Sequence, residues 1–251
     1  LTLVGLMEKF GFPPWLAIIG TIIVMIILAW LIELLILRHL VNQEHIILFM
    51  STLGLAYVLE GLGDILWGSD VKVLDIGLPQ GASDWLLDSY GLYVEKLEIV
   101  AAVIATILVI ILAVFFQNTR IGRALRAVAD DHQAALSIGI SLRTIWIIVW
   151  SVAGFVALVA GIMWGSKSGI QFSLSLIALK ALPVLILGGF TSIPGAIIGG
   201  LIIGVGEKLA EVYVGPYVGG AIENWFAYML ALIFLMFRPQ GLFGEKIIER
   251  V

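Results

Sequence analysis

Residues 97–117, LEIVAAVIATILVIILAVFFQ, decide the fold class of this chain. From Ile99 to Phe116 the run contains no charged side chain. A helix needs about 20 mainly apolar residues to cross the roughly 30 Å hydrocarbon core of a bilayer. A backbone in lipid must satisfy its own hydrogen bonds, and a β-barrel strand would alternate apolar and polar positions instead. The run is therefore predicted to be a transmembrane α-helix.

The rest of the chain repeats this pattern. Of its 251 residues, 61% are hydrophobic and 13% are charged, whereas a soluble domain is about half apolar and a quarter charged. Further apolar runs occupy residues 14–37, 46–68, 145–165, 174–189, 195–214 and 222–237. The pattern predicts an all-α, polytopic transmembrane helical bundle with about seven spans, forming one domain over residues 1–251.

The distribution of basic residues predicts the orientation of these spans. With the loop after Leu37 in the cytoplasm, the cytoplasmic basic residues are Arg38, Arg120, Arg123, Arg126, Arg143, Arg238, Lys246 and Arg250. The external ones are Lys9, Lys72, Lys96 and Lys167. Cytoplasmic loops carry the excess of Lys and Arg. This rule predicts an external loop near 69–96, with a short interfacial helix around Trp85–Tyr90, a cytoplasmic loop near 118–143 and a cytoplasmic C-terminus.

The cytoplasmic loop contains RIGRALRAVADDHQAALSIGI, residues 120–140, which is unusually charged for this chain. Its apolar residues follow a loose amphipathic helical spacing. Asn118 or Thr119 could cap the start of a helix, and Gly139 could end it. A helix this short needs a packing partner to persist in water. Two interpretations stay open: a solvated loop that only sets topology, or a helix that docks on a partner.

Helix-breaking residues interrupt the later apolar runs. The segment LILGGFTSIPGA, residues 185–196, predicts either a broken helix along a transport path or a tight hairpin turn between two spans. Lys180 lies three residues before Pro183, a residue that kinks helices. Its ammonium group could extend to the membrane surface or pair with an acid.

Acidic residues inside the apolar runs are the remaining polar feature. Glu60 and Asp64 are four residues apart and share a helix face, so they form either an ion or proton site or part of the external aqueous mouth. Glu33 lies close to Arg38, and we expect water to reach its carboxylate at the cytoplasmic end of the helix. The candidate residues of a translocation path are Glu60, Asp64, Lys180, Pro183, Gly188 and Gly189.

Several short motifs occur here in a specific combination. The cytoplasmic loop contains Gly122-Arg123-Ala124, Arg126-Ala127, Asp130, Ala134-Ala135 and Gly139-Ile140. Other motifs are ELLILRHL, STLGLAYVLEGL and WGSD, then ALKALPVLILGGFTSIPGAIIGGLIIGVGE at 178–207 and RPQGLFG at 238–244. In this combination the chain resembles the membrane permeases of ABC importers, specifically the branched-chain amino-acid (LivH-type) family. The family's first helices, with an Asn-Phe-Ala-His-Gly-like segment, have no counterpart here, so this sequence is expected to lack its N-terminal helices.

The resemblance implies a permease subunit of an ATP-driven importer for branched-chain or related amino acids, which forms the translocation path by alternating access. Its loop would be the coupling helix that docks into a cytoplasmic ATPase subunit. The residues with this implied role are Gly122, Arg123, Arg126, Ala127, Asp130, Asp131, Ala134, Ala135 and Gly139. The implied partners are ATPase subunits that bind ATP and Mg, a second homologous permease and a periplasmic or extracellular substrate-binding protein. The implied location is a bacterial inner membrane.

Missing motifs limit the chemistry that this chain could perform. No lysine follows a glycine, so there is no Walker A motif, and ATP hydrolysis is expected only from a partner subunit. His39, His45 and His132 are isolated from other ligand types, so we expect no metal site, cofactor or catalytic residue. The net charge of −4 disfavours a nucleic-acid partner. Two other functions stay open: an ion-coupled secondary transporter of small polar solutes that uses Glu60, Asp64 and Lys180, and a non-transporting membrane scaffold.

Overall fold

The structure is a computed structural model that describes residues 1–41, 43–130, 132–171, 174–189, 192–238 and 240–244. The α-helices in this part of the chain are α1 (Thr2–Phe10), α2 (Pro14–Leu35), α3 (His45–Trp67), α4 (Asp84–Tyr90), α5 (Lys96–Asn118), α6 (Arg120–Asp130), α7 (His132–Ser137), α8 (Leu142–Ser168), α9 (Leu174–Leu179), α10 (Ala181–Gly188), α11 (Ile193–Tyr213), α12 (Gly215–Val218) and α13 (Phe226–Phe237). Short 3₁₀ helices occupy Leu37–Leu40 and Ile222–Asn224.

Within the described ranges, five helices are long and apolar enough to cross a membrane: α2, α3, α5, α8 and α11. Ile177–Gly188 and Phe226–Phe237 are shorter apolar helical segments. Large side chains such as Ile65 and Phe237 are 80% and 83% exposed. In water such exposure would be unfavourable, but a lipid-facing surface is apolar throughout. The predicted all-α, polytopic membrane bundle is confirmed.

The fifth predicted span, residues 174–189, is a broken helix. α9 ends at Leu179 and α10 begins at Ala181. Pro183 has no N–H, and its ring clashes with the carbonyl four residues earlier, which belongs to Leu179. An unbroken helix is therefore disfavoured at this point, and Lys180 lies in the joint between the two short helices.

The chain divides into two compact units, Leu1–Phe172 and Ser173–Val251, here called unit 1 and unit 2. In unit 1 the principal helix pair is α2 against α8. Gly154 in α8 lets this pair approach closely, because a Cβ at that position would lie 3.2 Å from the Cβ of Met25. Unit 2 packs α10 against α11 and α13, and its core consists of Leu187, Ile203 and Ala227.

In unit 2 the successive helices α10 and α11 pack against each other. α10 ends at Gly188, and the Ser192 hydroxyl accepts the Gly195 N–H at 3.1 Å to cap the start of α11. The two helices meet backbone to backbone, because a Cβ on Gly195 would lie 2.1 Å from the Gly188 carbonyl oxygen. Residues 190 and 191 lie outside the described residues, but the close packing of α10 on α11 on either side of them favours the hairpin interpretation of residues 185–196, and the helix break lies earlier, at Lys180.

Unit 1 has two chemically different ends. At one end the backbone of Lys72 pairs with that of Ile170, the side chain of Lys72 pairs with Glu8, and Lys167 Nζ lies 2.6 Å from Glu98 Oε1. The helix expected around Trp85–Tyr90 is present as α4. The 23 residues of α5, about 34 Å of helix, separate this end from the predicted coupling loop. Within unit 1, the lysines predicted to be external therefore lie toward one end of α5, and Arg120, Arg123, Arg126 and Arg143 lie toward the other.

Candidate functional site

The coupling segment, residues 118–143, contains helices α6 and α7 and is hydrogen-bonded to the end of α5. Thr119 caps α6, because its hydroxyl accepts the Gly122 N–H at 2.9 Å and donates to the Phe115 carbonyl at 2.7 Å. The guanidinium of Arg126 donates to the Phe116 carbonyl. A Cβ on Gly122 would lie 2.3 Å from that same oxygen, so only glycine fits at this position. Of the two caps considered from sequence, Thr119 is the one used.

One face of the coupling segment is buried. Its core consists of Leu125, Val128, Ala135, Leu142 and Ile145, with Val41, Phe115, Phe116, Ala124, Ile140 and Trp146 packed around it. Ala135 is only 1% exposed. Among the residues assigned to ATPase coupling, Ala135 and Gly122 therefore hold the segment against the membrane helices. Any direct contact with a partner has to come from the other face.

The opposite face of the coupling segment combines positive charge with apolar surface. Its exposed residues include Arg120, Ile121, Arg123, Arg126, Ala134, Leu136, Ile138 and Gly139. Ile138 is 73% exposed and Leu136 is 47% exposed, although both are large and apolar. Ala127 is half-buried. The side chain of Asp130 and all of Asp131 lie outside the described residues. This face offers both apolar area and charge to a partner.

Gly139 follows the end of helix α7, in agreement with the expectation that it would end a helix here. Its φ is +84°, a conformation that residues with a Cβ rarely adopt. The Gly139 N–H donates to the Leu136 carbonyl and the Ile140 N–H to the Ala135 carbonyl, both at 3.0 Å. These bonds satisfy carbonyls at the end of α7 and turn the chain toward α8.

A charged cluster in unit 2 surrounds Lys180. Its ammonium lies 3.2 Å from Glu207 Oε1 and donates to the Glu223 carbonyl at 2.8 Å. Lys208 pairs with the Glu223 carboxylate at 2.6 Å. Of the two interpretations of Lys180, pairing with an acid is the one observed. Glu207 was not among the predicted path candidates, and it lies 27 residues from Lys180 along the chain.

Glu211 organises the turn that completes this cluster. Its carboxylate accepts the N–H groups of Ala221, Ile222 and Glu223 at 3.0, 2.7 and 3.2 Å. Ala221 has a φ of +59°, which is unusual for a residue with a side chain. The three bonds to a charged acceptor hold this turn and place the Glu223 carbonyl beside Lys180.

The other path candidates have separate environments. Pro183 is buried and causes the helix break, while Gly188 and Gly189 are buried at the α10–α11 turn. On α3, Glu60 is half-buried and Asp64 is exposed, and within the described residues neither forms an ion pair. No group of three potential metal ligands occurs in the part of the chain that the structure describes.

Glu33 is buried, although its sequence position predicted contact with water. Its side chain is 2% exposed, and Oε2 lies 3.6 Å from Arg38 Nη2 and 3.4 Å from Arg143 Nε. The expectation that water would reach this carboxylate is wrong, because α8 packs over α2 and brings Arg143 against it. No local pattern near Glu33 could have indicated a partner 110 positions later.

A family model and several known proteins match this chain. A family model described as "Branched-chain amino acid transport system / permease component" matches residues 1–238. The high-affinity branched-chain amino acid transport system permease protein LivH of Salmonella typhimurium is 28% identical over 239 residues, 93% of this chain and 75% of that protein. The corresponding protein BraD of Pseudomonas aeruginosa is 28% identical over 255 aligned positions, which cover 100% of this chain and 82% of BraD. No solved structure matches. The coupling segment and the charged cluster both lie inside the matched region.

Proposed function

Because the chain belongs to the family of branched-chain amino acid transport system permease components, we propose that it is the membrane-spanning subunit of an ATP-driven importer of branched-chain amino acids. The observation that supports this most strongly is the family match over residues 1–238, which includes the coupling segment. The protein itself is a multi-pass membrane protein and a transport subunit. Neither an ion-coupled transporter nor a scaffold is favoured by the family match.

The proposed mechanism is alternating access driven by partner subunits. Cytoplasmic ATPase subunits bind ATP and Mg, and a substrate-binding protein delivers the amino acid on the other side of a bacterial inner membrane. This chain and a second permease subunit enclose the path, with the C-terminus in the cytoplasm. ATP binding can drive transport only if ATP binds to the importer with different affinities in its inward-facing and outward-facing states.

The coupling segment is the proposed ATPase docking element. Its outer face presents Arg123 and Arg126 beside exposed Ile121, Leu136 and Ile138. Apolar area contributes affinity, whereas charges at the rim of an interface set orientation and partner choice. Its inner face packs on the ends of α5 and α8. A partner that moves the outer face would therefore also displace these two membrane helices.

The charged cluster supports a polar path in unit 2. Ionisable groups inside membrane segments are costly unless they face protein or water, so their presence at a helix break marks a candidate pathway. Lys180 lies at such a break, and Glu207 pairs with it from the adjacent helix α11. We assign Lys180 and Glu207 to the lining of the translocation path.

Reconstitution tests the proposed function. The chain is coexpressed with its partner permease, ATPase and binding protein, and uptake of labelled leucine, isoleucine and valine into proteoliposomes is measured. We expect uptake only with ATP and Mg on the ATPase side and loaded binding protein on the other. Uptake driven by a proton or sodium gradient without ATP would instead identify a secondary transporter. A correctly inserted chain that neither binds an ATPase subunit nor transports would be a scaffold.

A further inference from the structure

The most unusual buried group in unit 1 is the carboxylate of Glu33. It lies in α2, a 22-residue apolar helix, and its side chain is 2% exposed. Removing a carboxylate from water is unfavourable unless opposite charges compensate for it. Two arginines do so here, at 3.6 Å and 3.4 Å from the same oxygen, Oε2. An apolar residue would fill this position at lower cost, so the charge calls for an explanation beyond packing.

The two arginines differ in what they connect. Arg38 belongs to the 3₁₀ helix that directly follows α2, so its contact with Glu33 is local. Arg143 is the second residue of α8 and the last residue of the coupling segment. Its contact with Glu33 joins two helices that are far apart in sequence. The Glu33–Arg143 pair is thus an electrostatic connection between the start of α8 and α2.

The neighbours of Arg143 pack the start of α8 against α6 and α7. Leu142 and Ile145 are buried in the same cluster as Leu125, Val128 and Ala135. Trp146, one turn after Leu142, packs against this cluster and also against the cluster that contains Ile32 and Leu37. A displacement of the coupling segment must therefore carry the start of α8, and Arg143 with it.

The Glu33 contact can transmit such a displacement without being rigid. Glu33 Oε2 accepts no hydrogen bond within the described part of the chain, so the arginines act on it by charge. The Coulomb attraction between two charges depends on their separation and not on the angle between donor and acceptor. The two helices can therefore change their relative angle while the carboxylate stays bound to the moving arginine.

We propose that Glu33 is a positioning residue that couples movement of the coupling segment to α2 through Arg143. The inference rests on the proposed function, since it concerns how ATPase movement reaches the membrane helices. Arg38 attracts the carboxylate from the segment that follows α2, and Arg143 attracts it from the start of α8. In this arrangement α2 and α8 move together when the ATPase subunits close.

The test uses the complete importer and the variant Glu33→Gln, which keeps the side-chain size and removes the charge. We expect normal membrane insertion and copurification with the ATPase. Stimulation of ATP hydrolysis by loaded binding protein, and uptake, should fall about tenfold, within the usual range of coupling between sites. Basal ATP hydrolysis should persist. Glu98→Gln is the matched control, because it breaks the Lys167 ion pair at the other end of unit 1 and should leave stimulation unchanged.

The double variant Glu33→Gln/Arg143→Gln separates coupling from stability. If the pair only neutralises buried charge, removing both charges should restore stimulation, and the proposal would be overturned. We expect the double variant to assemble and unfold like the wild type while stimulation stays low. Normal stimulation in Glu33→Gln would also overturn it. If the wild-type complex shows no ATP-dependent uptake, the proposed function fails instead, which is a different outcome.

Discussion

At the scale of single residues, two neighbouring alanines of α7 face opposite environments. Ala135 is 1% exposed in the core of the coupling segment, whereas Ala134 is exposed. We expect Ala135→Trp to lower the thermal unfolding temperature of the purified chain, because overpacking a filled core costs about 1–3 kcal/mol, occasionally more. Ala134→Trp should unfold like the wild type but copurify poorly with the ATPase subunit. Equal stability of both variants would contradict the burial of Ala135, and undisturbed copurification of Ala134→Trp would remove that face from the docking surface.

At the scale of elements, the loop predicted to be external contains a salt bridge whose strength depends on pH. Lys96 donates to Asp84 at 2.9 Å, and this hydrogen bond and the lysine charge hold the pKa of the Asp84 carboxyl below its usual value. A depressed native pKa contributes stability that is complete above the unfolded-state pKa of about 4 and is lost as pH falls through the native pKa. We expect hydrogen exchange in α4, corrected for intrinsic rates, to accelerate over that acidic range. In Asp84→Asn the amide hydrogens of α4 should exchange fast at every pH. If α4 of this variant keeps the pH profile of the wild type, the Lys96–Asp84 pair is not the cause.

At the scale of the whole molecule, membrane orientation can be measured directly. Ser69 and Ser137 are exposed and lie beyond opposite ends of α5. The chain has no cysteine, so a single substitution introduces a unique thiol. We expect Ser69→Cys to react with a membrane-impermeant reagent in intact cells and Ser137→Cys to react only after permeabilisation, because the arginine-rich segment favours the cytoplasm. The reverse labelling pattern would invert the proposed topology.

The sequence by itself determined the fold class, the family, the glycine that follows the end of α7, and the start of α6 to within Asn118 and Thr119. The fold class follows from composition, because an apolar run in lipid has no way to satisfy its backbone except as a helix. Thr119 and Gly139 were predictable because capping and positive φ are local properties of the chain. The family followed from a combination of short motifs, and the family model that matches residues 1–238 confirms it.

Only the tertiary structure decided which polar groups meet. Glu33 pairs with Arg143 and Lys180 with Glu207, and each pair joins helices whose packing no local pattern reveals. The opposite burial of Ala134 and Ala135 likewise depends on how α7 packs against α5 and α8. Lipid-facing and protein-facing sides of a membrane helix are both apolar, so hydrophobicity places a helix in the membrane but does not select its neighbours.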